Sequence, residues 1–300
     1  MTGRRPAGPR PPAGGGAGSA GVPAPGAAVP VAPCSLCGGR HSSGPCPPCG
    51  GKGPFRAGRC PPGFPEGVSR LGLMGGAFNP VHLGHLRAAE EMAGRYALDA
   101  VCFIPTALPP HKAGEELAPF ADRLRMVELA IRGRRGFCAS DLEARLPGPS
   151  YTVNTLRALR DSLPEGSSLH FMVGFDSFQK VRLWKSAREL FTLASFAVNI
   201  RPGARRSSPG SRPRLAGILK SLFRSEPVWD TEGGAFLIDG CLPVHFFEGS
   251  MLAISSTDLR RRLAAGESVR YLVPDAVMAY LDRRGLYSSA SQPARRPAAG

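Results

Sequence analysis

The most informative segment of this sequence is Gly75-Gly76-Ala77-Phe78-Asn79-Pro80-Val81-His82-Leu83-Gly84-His85. It lies between an apolar run at 71–74, which predicts a buried strand, and a helical pattern that begins at about His82. Glycines let the backbone approach a ligand closely, and a helix N-terminus offers unpaired N–H groups to a phosphate. His82 and His85 are three residues apart, so both point the same way on the first helical turn. We therefore predict a phosphate-binding loop, in preference to one capping and one exposed histidine.

On both sides of this loop, short apolar runs alternate with segments of helical, amphipathic periodicity. The runs predict strands at 71–74, 100–104, 137–140, 169–173, 195–200 and 244–247, and the periodicities predict helices from about 82 and at 120–131, 153–163, 257–263 and 274–284. This alternation predicts an α/β fold with a Rossmann-like, doubly wound parallel sheet. Ligands bind beyond the carboxyl ends of the strands in such sheets, which is where the glycine-rich loop falls.

The net charge of +15 first suggests a nucleic-acid-binding protein, but the charge is not evenly distributed. Residues 1–70 contain eight basic residues and one acid, and 201–225 contain seven basic residues and no acid. The sequence that can form a core is nearly neutral, so we expect no nucleic-acid partner. Residues 1–70 also contain 17 Gly and 15 Pro. We predict a largely disordered extension at 1–70, a folded domain at 71–289 and a disordered tail at 290–300.

No apolar stretch approaches the ~20 residues that a membrane-spanning helix needs, and prolines interrupt the N-terminal Ala/Gly stretch that would have to serve as a signal peptide. Few cysteines lie in the predicted domain, so we expect a cytoplasmic protein without a membrane partner. An apolar stripe at helical spacing within the basic segment 203–239 predicts core packing rather than a membrane-surface helix. The stripe consists of Leu215, Ile218, Leu219, Leu222 and Phe223.

Two CxxC pairs lie within the extension, at 34–37 and 46–49. Four thiolates can bind a tetrahedral Zn²⁺, so a small structural zinc knuckle at 34–49 is one interpretation. Chance spacing in a biased sequence is the alternative, and a translation start near Val68 is another. The candidate ligands are Cys34, Cys37, Cys46 and Cys49.

The histidine loop resembles the HxGH signature of the nucleotidylyltransferase superfamily, and Ile254-Ser255-Ser256-Thr257-Asp258-Leu259-Arg260 resembles its ISSTxxR motif. The residues agree with this resemblance, because Ser255 and Ser256 can cap a helix whose N–H groups, together with Arg260, can hold the β- and γ-phosphates.

Further segments are similar to those of bacterial nicotinate-nucleotide adenylyltransferases, which make deamido-NAD and pyrophosphate from ATP and nicotinate mononucleotide. These segments are Pro109-Pro110-His111-Lys112, Ser150-Tyr151-Thr152-Val153-Asn154-Thr155-Leu156, Gly174-Phe175-Asp176-Ser177-Phe178 with Trp184, Arg201-Pro202-Gly203, and Tyr271 to Tyr287. Asn154 stands where the family usually has Asp.

The resemblance implies a role for each matching residue. The catalytic residues would be His82, His85, Lys112 and Arg260, and ATP would be held by Gly75, Gly76, Ala77, Phe78, Asp176, Arg201, Ser255 and Ser256. Nicotinate mononucleotide would be bound by Thr152, Asn154 and Trp184, with Trp184 stacked on the pyridine ring. Mg²⁺ would accompany ATP. The sequence does not determine whether the protein is a monomer or a homo-oligomer.

The sequence is compatible with two alternative functions. A superfamily member could use another phosphate acceptor, such as nicotinamide mononucleotide or phosphopantetheine, although the 109–112 and 150–156 segments argue against this. The chain could also be a basic, zinc-containing nucleic-acid-binding protein.

Overall fold

The computed structural model describes residues 58–59, 68–109, 117–200, 211–250 and 252–288. All of them belong to one compact unit, Lys52–Gly300. The strands are β1 Gly58–Arg59, β2 Arg70–Gly76, β3 Ala100–Pro105, β4 Phe137–Ala139, β5 Ser168–Gly174, β6 Ser195–Ile200, β7 Val228–Asp230, β8 Ala235–Leu237 and β9 Val244–Glu248. The α-helices are α1 Leu83–Arg95, α2 Phe120–Ala130, α3 Leu142–Arg145, α4 Thr152–Ser162, α5 Phe175–Phe178, α6 Ala187–Leu193, α7 Ser211–Phe223, α8 Ser256–Ala264 and α9 Asp275–Arg284, and Val181–Leu183 forms a 3₁₀ turn.

The strands form a single sheet in the order β1-β4-β3-β2-β5-β6-β9-β8-β7. Every neighbouring pair is parallel except β7 with β8 and β8 with β9. From β2 the chain first proceeds outward through β3 and β4, and it then returns to place β5 on the other side of β2. This reversal confirms the predicted doubly wound α/β sheet, and it opens a crevice between the carboxyl ends of β2 and β5.

Alternate residues of the central strands point to opposite faces, and each face is covered by helices. On β2, Leu71 and Leu73 belong to a core that includes buried residues of α4, α6 and α7. Met74 belongs to a second core, built with buried residues of α1, α2, α8 and α9. Strands buried on both faces explain the continuous apolar runs of the sequence.

The predicted strands and helices are confirmed to within a few residues at each end. The basic segment contains α7, whose Leu215 and Leu219 are fully buried in the first core, so the stripe has the predicted role in packing. The sequence prediction lacked the β7–β8 hairpin, because its two strands have only three residues each. Strand β1 pairs in parallel with β4 through Gly58 and Cys138.

In the described part of the chain, no helix has both the length and the apolar composition needed to cross a bilayer. Cys241 is a free thiol, and burial raises the pKa of the Cys102 thiol to about 12. Cys138 is disulfide-bonded. The candidate zinc ligands Cys34, Cys37, Cys46 and Cys49 lie outside the described residues, so the zinc knuckle stays a prediction.

Candidate active site

A pocket of about 460 Å³ lies at the carboxyl ends of β2 and β5, where the strand order reverses. Its wall includes the end of β2, the start of α1, the start of α4 and the segment that follows β5. Seven of the residues predicted from the sequence line it together, namely Gly75, Gly76, His82, His85, Thr152, Asp176 and Trp184. Residues up to 109 positions apart in the chain thus form one cavity, as the topology requires.

The two histidines stack on each other at the N-terminus of α1. Their ring centroids are 3.7 Å apart with an angle of 27° between the planes. His82 is the N-cap and is only 5% exposed. Its backbone N–H donates to Nδ1 of His85 at 3.2 Å. Because Nδ1 of His85 is an acceptor, the proton of its neutral ring is on Nε2, and Nε2–H is the donor that this imidazole can offer.

Gly84 precedes His85 in the sequence, and its lack of a side chain leaves room for the ring of His82. A Cβ at this position would lie 3.0 Å from Nδ1 and 3.1 Å from Cε1 of His82. The imidazole of His82 would have to shift by a few tenths of an ångström to accommodate it. Glycine therefore lets His82 occupy its place beside the pocket.

The histidine loop is held by a buried arginine whose role was not predicted from the sequence. Arg123 of α2 is 1% exposed, and it donates to the backbone carbonyls of Ala77 and Thr106 at 2.8 Å and of Ala118 at 2.9 Å. One planar guanidinium thus ties together three loops. Ala77 itself contributes its carbonyl to this contact and is not part of the pocket wall.

Phe78, predicted as a residue of the ATP site, is buried and packs edge-on against the ring of His85, with 5.1 Å between centroids. It also packs against Phe103 of β3. Its position therefore supports the imidazole rather than forming part of the cavity wall.

The segment at 254–260 contacts the pocket and the histidine loop in different ways. Ile254 lines the cavity, and Ser255 is confirmed as the N-cap of α8, where its side chain accepts from the Asp258 N–H at 3.1 Å. Ser256 donates to the carbonyl of Pro80, and Arg260 to that of Asn79, both at 2.9 Å. The Ser256 hydroxyl and the Arg260 guanidinium, which the sequence predicted to bind phosphate, thus donate to backbone carbonyls of the histidine loop in this structure.

Another part of the pocket wall is formed by α3 and the start of α4. It is lined by Glu143, Thr152 and Thr155. Asn154 does not line it, because it lies two positions after Thr152 on α4 and its side chain therefore points to a different side of the helix. Glu143 is 8% exposed and accepts from the Thr155 hydroxyl at 2.9 Å. Burial raises the pKa of its carboxyl, while hydrogen bonds from Thr155, Ser150 and the Ala107 N–H act in the opposite direction. Glu143 was not predicted from the sequence.

A further wall follows β9, where Gly249 and Ser250 line the cavity. The carboxylate of Glu91 on α1 accepts from the Ser250 N–H at 2.8 and 3.0 Å, and Asn199 Oδ1 accepts from the Gly249 N–H at 3.2 Å. A Cβ on Gly249 would lie 2.7 Å from each of these two side chains. A larger residue here would displace the Glu91 carboxylate and the Asn199 amide, whose hydrogen bonds hold this loop in the wall of the pocket.

Lys112 and Arg201 lie outside the described residues, so their predicted roles stay predictions. Within the described part, no cluster of three or more His, Cys, Asp or Glu residues forms a metal site. The pocket does contain two carboxylates, those of Glu143 and Asp176. Mg²⁺ is commonly bound by one or two carboxylates together with substrate phosphates and water. The donor set therefore suits an Mg²⁺ ion that enters with a triphosphate.

Comparison with known proteins agrees with this geometry. The profile of a family described as "Cytidylyltransferase-like" matches residues 73–262. A curated protein of Syntrophotalea carbinolica, named "Probable nicotinate-nucleotide adenylyltransferase", is 42% identical over 222 residues, which are 73% of this chain and 98% of that protein. A protein of Trichlorobacter lovleyi with the same name is 42% identical over 218 residues, covering 73% and 99% of the two chains.

Solved structures show the same fold at low identity. The Plasmodium falciparum nicotinic acid mononucleotide adenylyltransferase complexed with NaAD superimposes with a TM-score of 0.53 at 15% identity, over 73% of this chain and 97% of that one. The complex of that enzyme with APC gives a TM-score of 0.52 at the same identity and coverage.

Proposed function

This chain belongs to the nicotinate-nucleotide adenylyltransferase family of cytidylyltransferase-like enzymes, and from that premise we propose its reaction, substrates and residue roles. It transfers the adenylyl group of ATP to nicotinate mononucleotide, giving deamido-NAD and pyrophosphate in NAD biosynthesis. The observation that carries the proposal is the stacked His82–His85 pair at a helix N-terminus, in the same pocket as Thr152 and Trp184.

The reaction is a direct displacement at the α-phosphorus. An oxygen of the mononucleotide phosphate forms a bond to Pα of ATP, the bond from Pα to the bridging oxygen of Pβ breaks, and pyrophosphate leaves with that oxygen. A phosphate dianion is already a competent nucleophile, so the protein needs no general base and forms no covalent intermediate. Its contribution is alignment and the neutralisation of charge on the triphosphate.

The histidines stabilise that charge. His85 offers Nε2–H as a donor because Nδ1 is occupied by the His82 N–H. The N-terminus of α1 adds a favourable dipole for the phosphates. We assign supporting roles at the triphosphate to Lys112, Arg201, Asp176 and Arg260. With ATP bound, Asp176 and Glu143 would hold Mg²⁺, which would supply further charge neutralisation.

The nicotinate end of the pocket lies toward Trp184 and Thr152. The indole gives the pyridine ring a flat apolar surface, and hydroxyl and backbone N–H donors on this wall receive the carboxylate. Donors that suit a carboxylate disfavour the amide, because the NH₂ group of nicotinamide would meet other N–H groups.

The proposed substrate is tested by comparing acceptors. The purified protein is incubated with MgATP and nicotinate mononucleotide, nicotinamide mononucleotide or phosphopantetheine, and pyrophosphate and the adenylylated product are quantified. We expect kcat/KM for the nicotinate substrate to exceed that for the amide by roughly 100-fold or more. Preference for phosphopantetheine would assign another acceptor, and salt-dependent DNA binding without turnover would favour a nucleic-acid-binding protein.

The two tryptophans of the chain provide a matched test of the nicotinate wall. Trp184 lines the pocket, whereas Trp229 packs on Phe236 of the β7–β8 hairpin. We expect Trp184→Leu to raise KM for nicotinate mononucleotide about tenfold, in keeping with the loss of one aromatic contact, and to leave KM for ATP unchanged. Trp229→Leu should change neither KM. Equal effects of the two variants would remove Trp184 from the proposed site.

A further inference from the structure

Asn79, in the middle of the histidine loop, joins three distant parts of the chain. Its side chain is 2% exposed. Oδ1 accepts from the Ala118 N–H at 3.0 Å and from the hydroxyl of Tyr287. Its main-chain carbonyl accepts from Arg260 at 2.9 Å. Asn79 therefore connects the loop through its side chain to the segment before α2 and to the segment that follows α9, and through its main-chain carbonyl to α8.

The backbone after α9 is bent in a way that brings Tyr287 to this position. Gly285 ends the helix with a φ of 59°, and Tyr287 itself has a φ of 65°. The left-handed region is uncommon for a bulky residue other than glycine, and the surrounding contacts must compensate for its strain. The hydrogen bond to Asn79 is one such contact, and it joins residues 208 positions apart.

We infer that Asn79 and Tyr287 form a positioning pair, through which the C-terminal segment sets the geometry of His82 and His85. The loop from Asn79 to His82 leads directly into the N-cap of α1, so movement of the amide displaces the backbone N–H that bonds to His85. Neither side chain lines the pocket, so both act through the histidines. For its effect on turnover, this inference rests on the proposed function.

The chain offers a matched control for the loss of the Tyr287 hydroxyl. Tyr280 lies on α9, and its hydroxyl donates to Asp122 Oδ1 on α2 at 2.7 Å. Tyr280→Phe and Tyr287→Phe each remove one tyrosine hydrogen bond between the C-terminal region and the rest of the domain. Only the second of these bonds reaches the histidine loop.

The first readout needs no catalysis. Long-range ¹H–¹⁵N spectra of the imidazole rings, with His82 and His85 assigned by substitution, report the Nε2–H form of His85 directly. Tyr287→Phe is expected to shift the signals of both rings and Tyr280→Phe to leave them in place. Unmoved His82 and His85 signals in folded Tyr287→Phe would overturn the inference, whether or not the wild-type chain makes deamido-NAD.

The second readout is kinetic. We expect Tyr287→Phe to lower kcat about tenfold with KM for both substrates within twofold, because a small misplacement of catalytic groups affects the transition state. Asn79→Leu, which removes the acceptor, should lower kcat about 100-fold. Asn79→Asp keeps an oxygen that can accept both bonds and should recover most of that loss. Equal kcat for Tyr287→Phe and Tyr280→Phe would show a purely structural role, while an inactive wild type would contradict the proposed function alone.

Discussion

The backbone N–H of His82 donates to Nδ1 of His85, so the first histidine of the pair determines which nitrogen of the second carries the proton. The stacked rings, 3.7 Å apart, keep this relationship fixed at the start of α1. The proposed catalysis depends on the remaining donor of His85, Nε2–H.

The substitution His85→Asn distinguishes the roles of the two nitrogens of that ring. The amide oxygen of Asn can accept from the His82 N–H, as Nδ1 does, but the shorter side chain has no donor at the position of Nε2. We therefore expect turnover to fall by about 10²–10³-fold with little change in Tm. Steady-state kinetics and thermal unfolding check this. Near-normal turnover in His85→Asn would show that Nε2–H is not needed.

Two glycines of α1 test the steric environment of His82. A Cβ on Gly84 would press on the His82 ring at 3.0 Å, whereas a Cβ on Gly94 would meet nothing within 4 Å. Gly84→Ala should lower kcat about tenfold or more, because it displaces a group proposed to contact the phosphates. Gly94→Ala should preserve kcat and stabilise the domain by about 0.5–1 kcal/mol, since Ala is the better helix former. If both variants turn over normally, His82 tolerates displacement.

Arg123 should make a large contribution to stability. Arg123→Met leaves the carbonyls of Ala77, Thr106 and Ala118 without the donor that now joins them, and each buried unsatisfied group costs about 1–3 kcal/mol. We expect the free energy of unfolding to fall by roughly 3 kcal/mol or more, measured by urea denaturation. Arg125→Met on the same helix breaks only a partly exposed pair with Glu128 and should cost less than about 1 kcal/mol. Similar losses in the two variants would contradict the role of Arg123.

His170 should make the domain acid-sensitive. Burial, with the charges of His245 and Arg70, lowers its pKa to about 4. It packs against Tyr96 and lies near His245, whose pKa burial also lowers. The imidazole of His170 is protonated at a higher pH in the unfolded chain than in the folded domain. Its contribution to the free energy of unfolding is therefore fully present above pH 6.5 and is lost as the pH falls toward 4.

The corresponding variant is His170→Phe, with urea denaturation measured from pH 7 to pH 4. Each such histidine can contribute at most about 1.4 kcal/mol per pH unit. We expect His170→Phe to lose less of its free energy of unfolding than the wild type does as the pH falls. The loss that remains in the variant comes from His245. A pH profile identical to that of the wild type would mean that His170 is not protonated on unfolding in this range.

Local patterns in the sequence predicted the central strands and the histidine loop, and the resemblance of short motifs to a known family predicted seven of the residues that line the pocket. Continuous apolar runs and period-3.6 patterns report burial directly, and the parallel strand order brings the carboxyl ends of the strands together. The β7–β8 hairpin was missed because strands of three residues carry almost no periodic signal.

The residues that support the site were missed for a different reason. The bond between Tyr287 and Asn79 spans 208 positions and leaves no local trace. Arg123 did leave one, because it lies three residues after Phe120, on the apolar side of the helix predicted at 120–131, where a charge is unexpected. Helical phase also distinguishes Thr155, one turn from Thr152 and in the pocket wall, from Asn154, which faces elsewhere.

Direct adenylyl transfer is tested by following the phosphorus atoms of ATP through the reaction. The wild-type protein is incubated with nicotinate mononucleotide and ATP labelled either at the α- or at the γ-phosphorus, with His85→Asn in parallel. We predict that all α-label appears in deamido-NAD and all γ-label in pyrophosphate, in equal amounts, and that His85→Asn slows both together. Release of α-label as AMP, or of γ-label as inorganic phosphate, would contradict direct adenylyl transfer at the histidine loop.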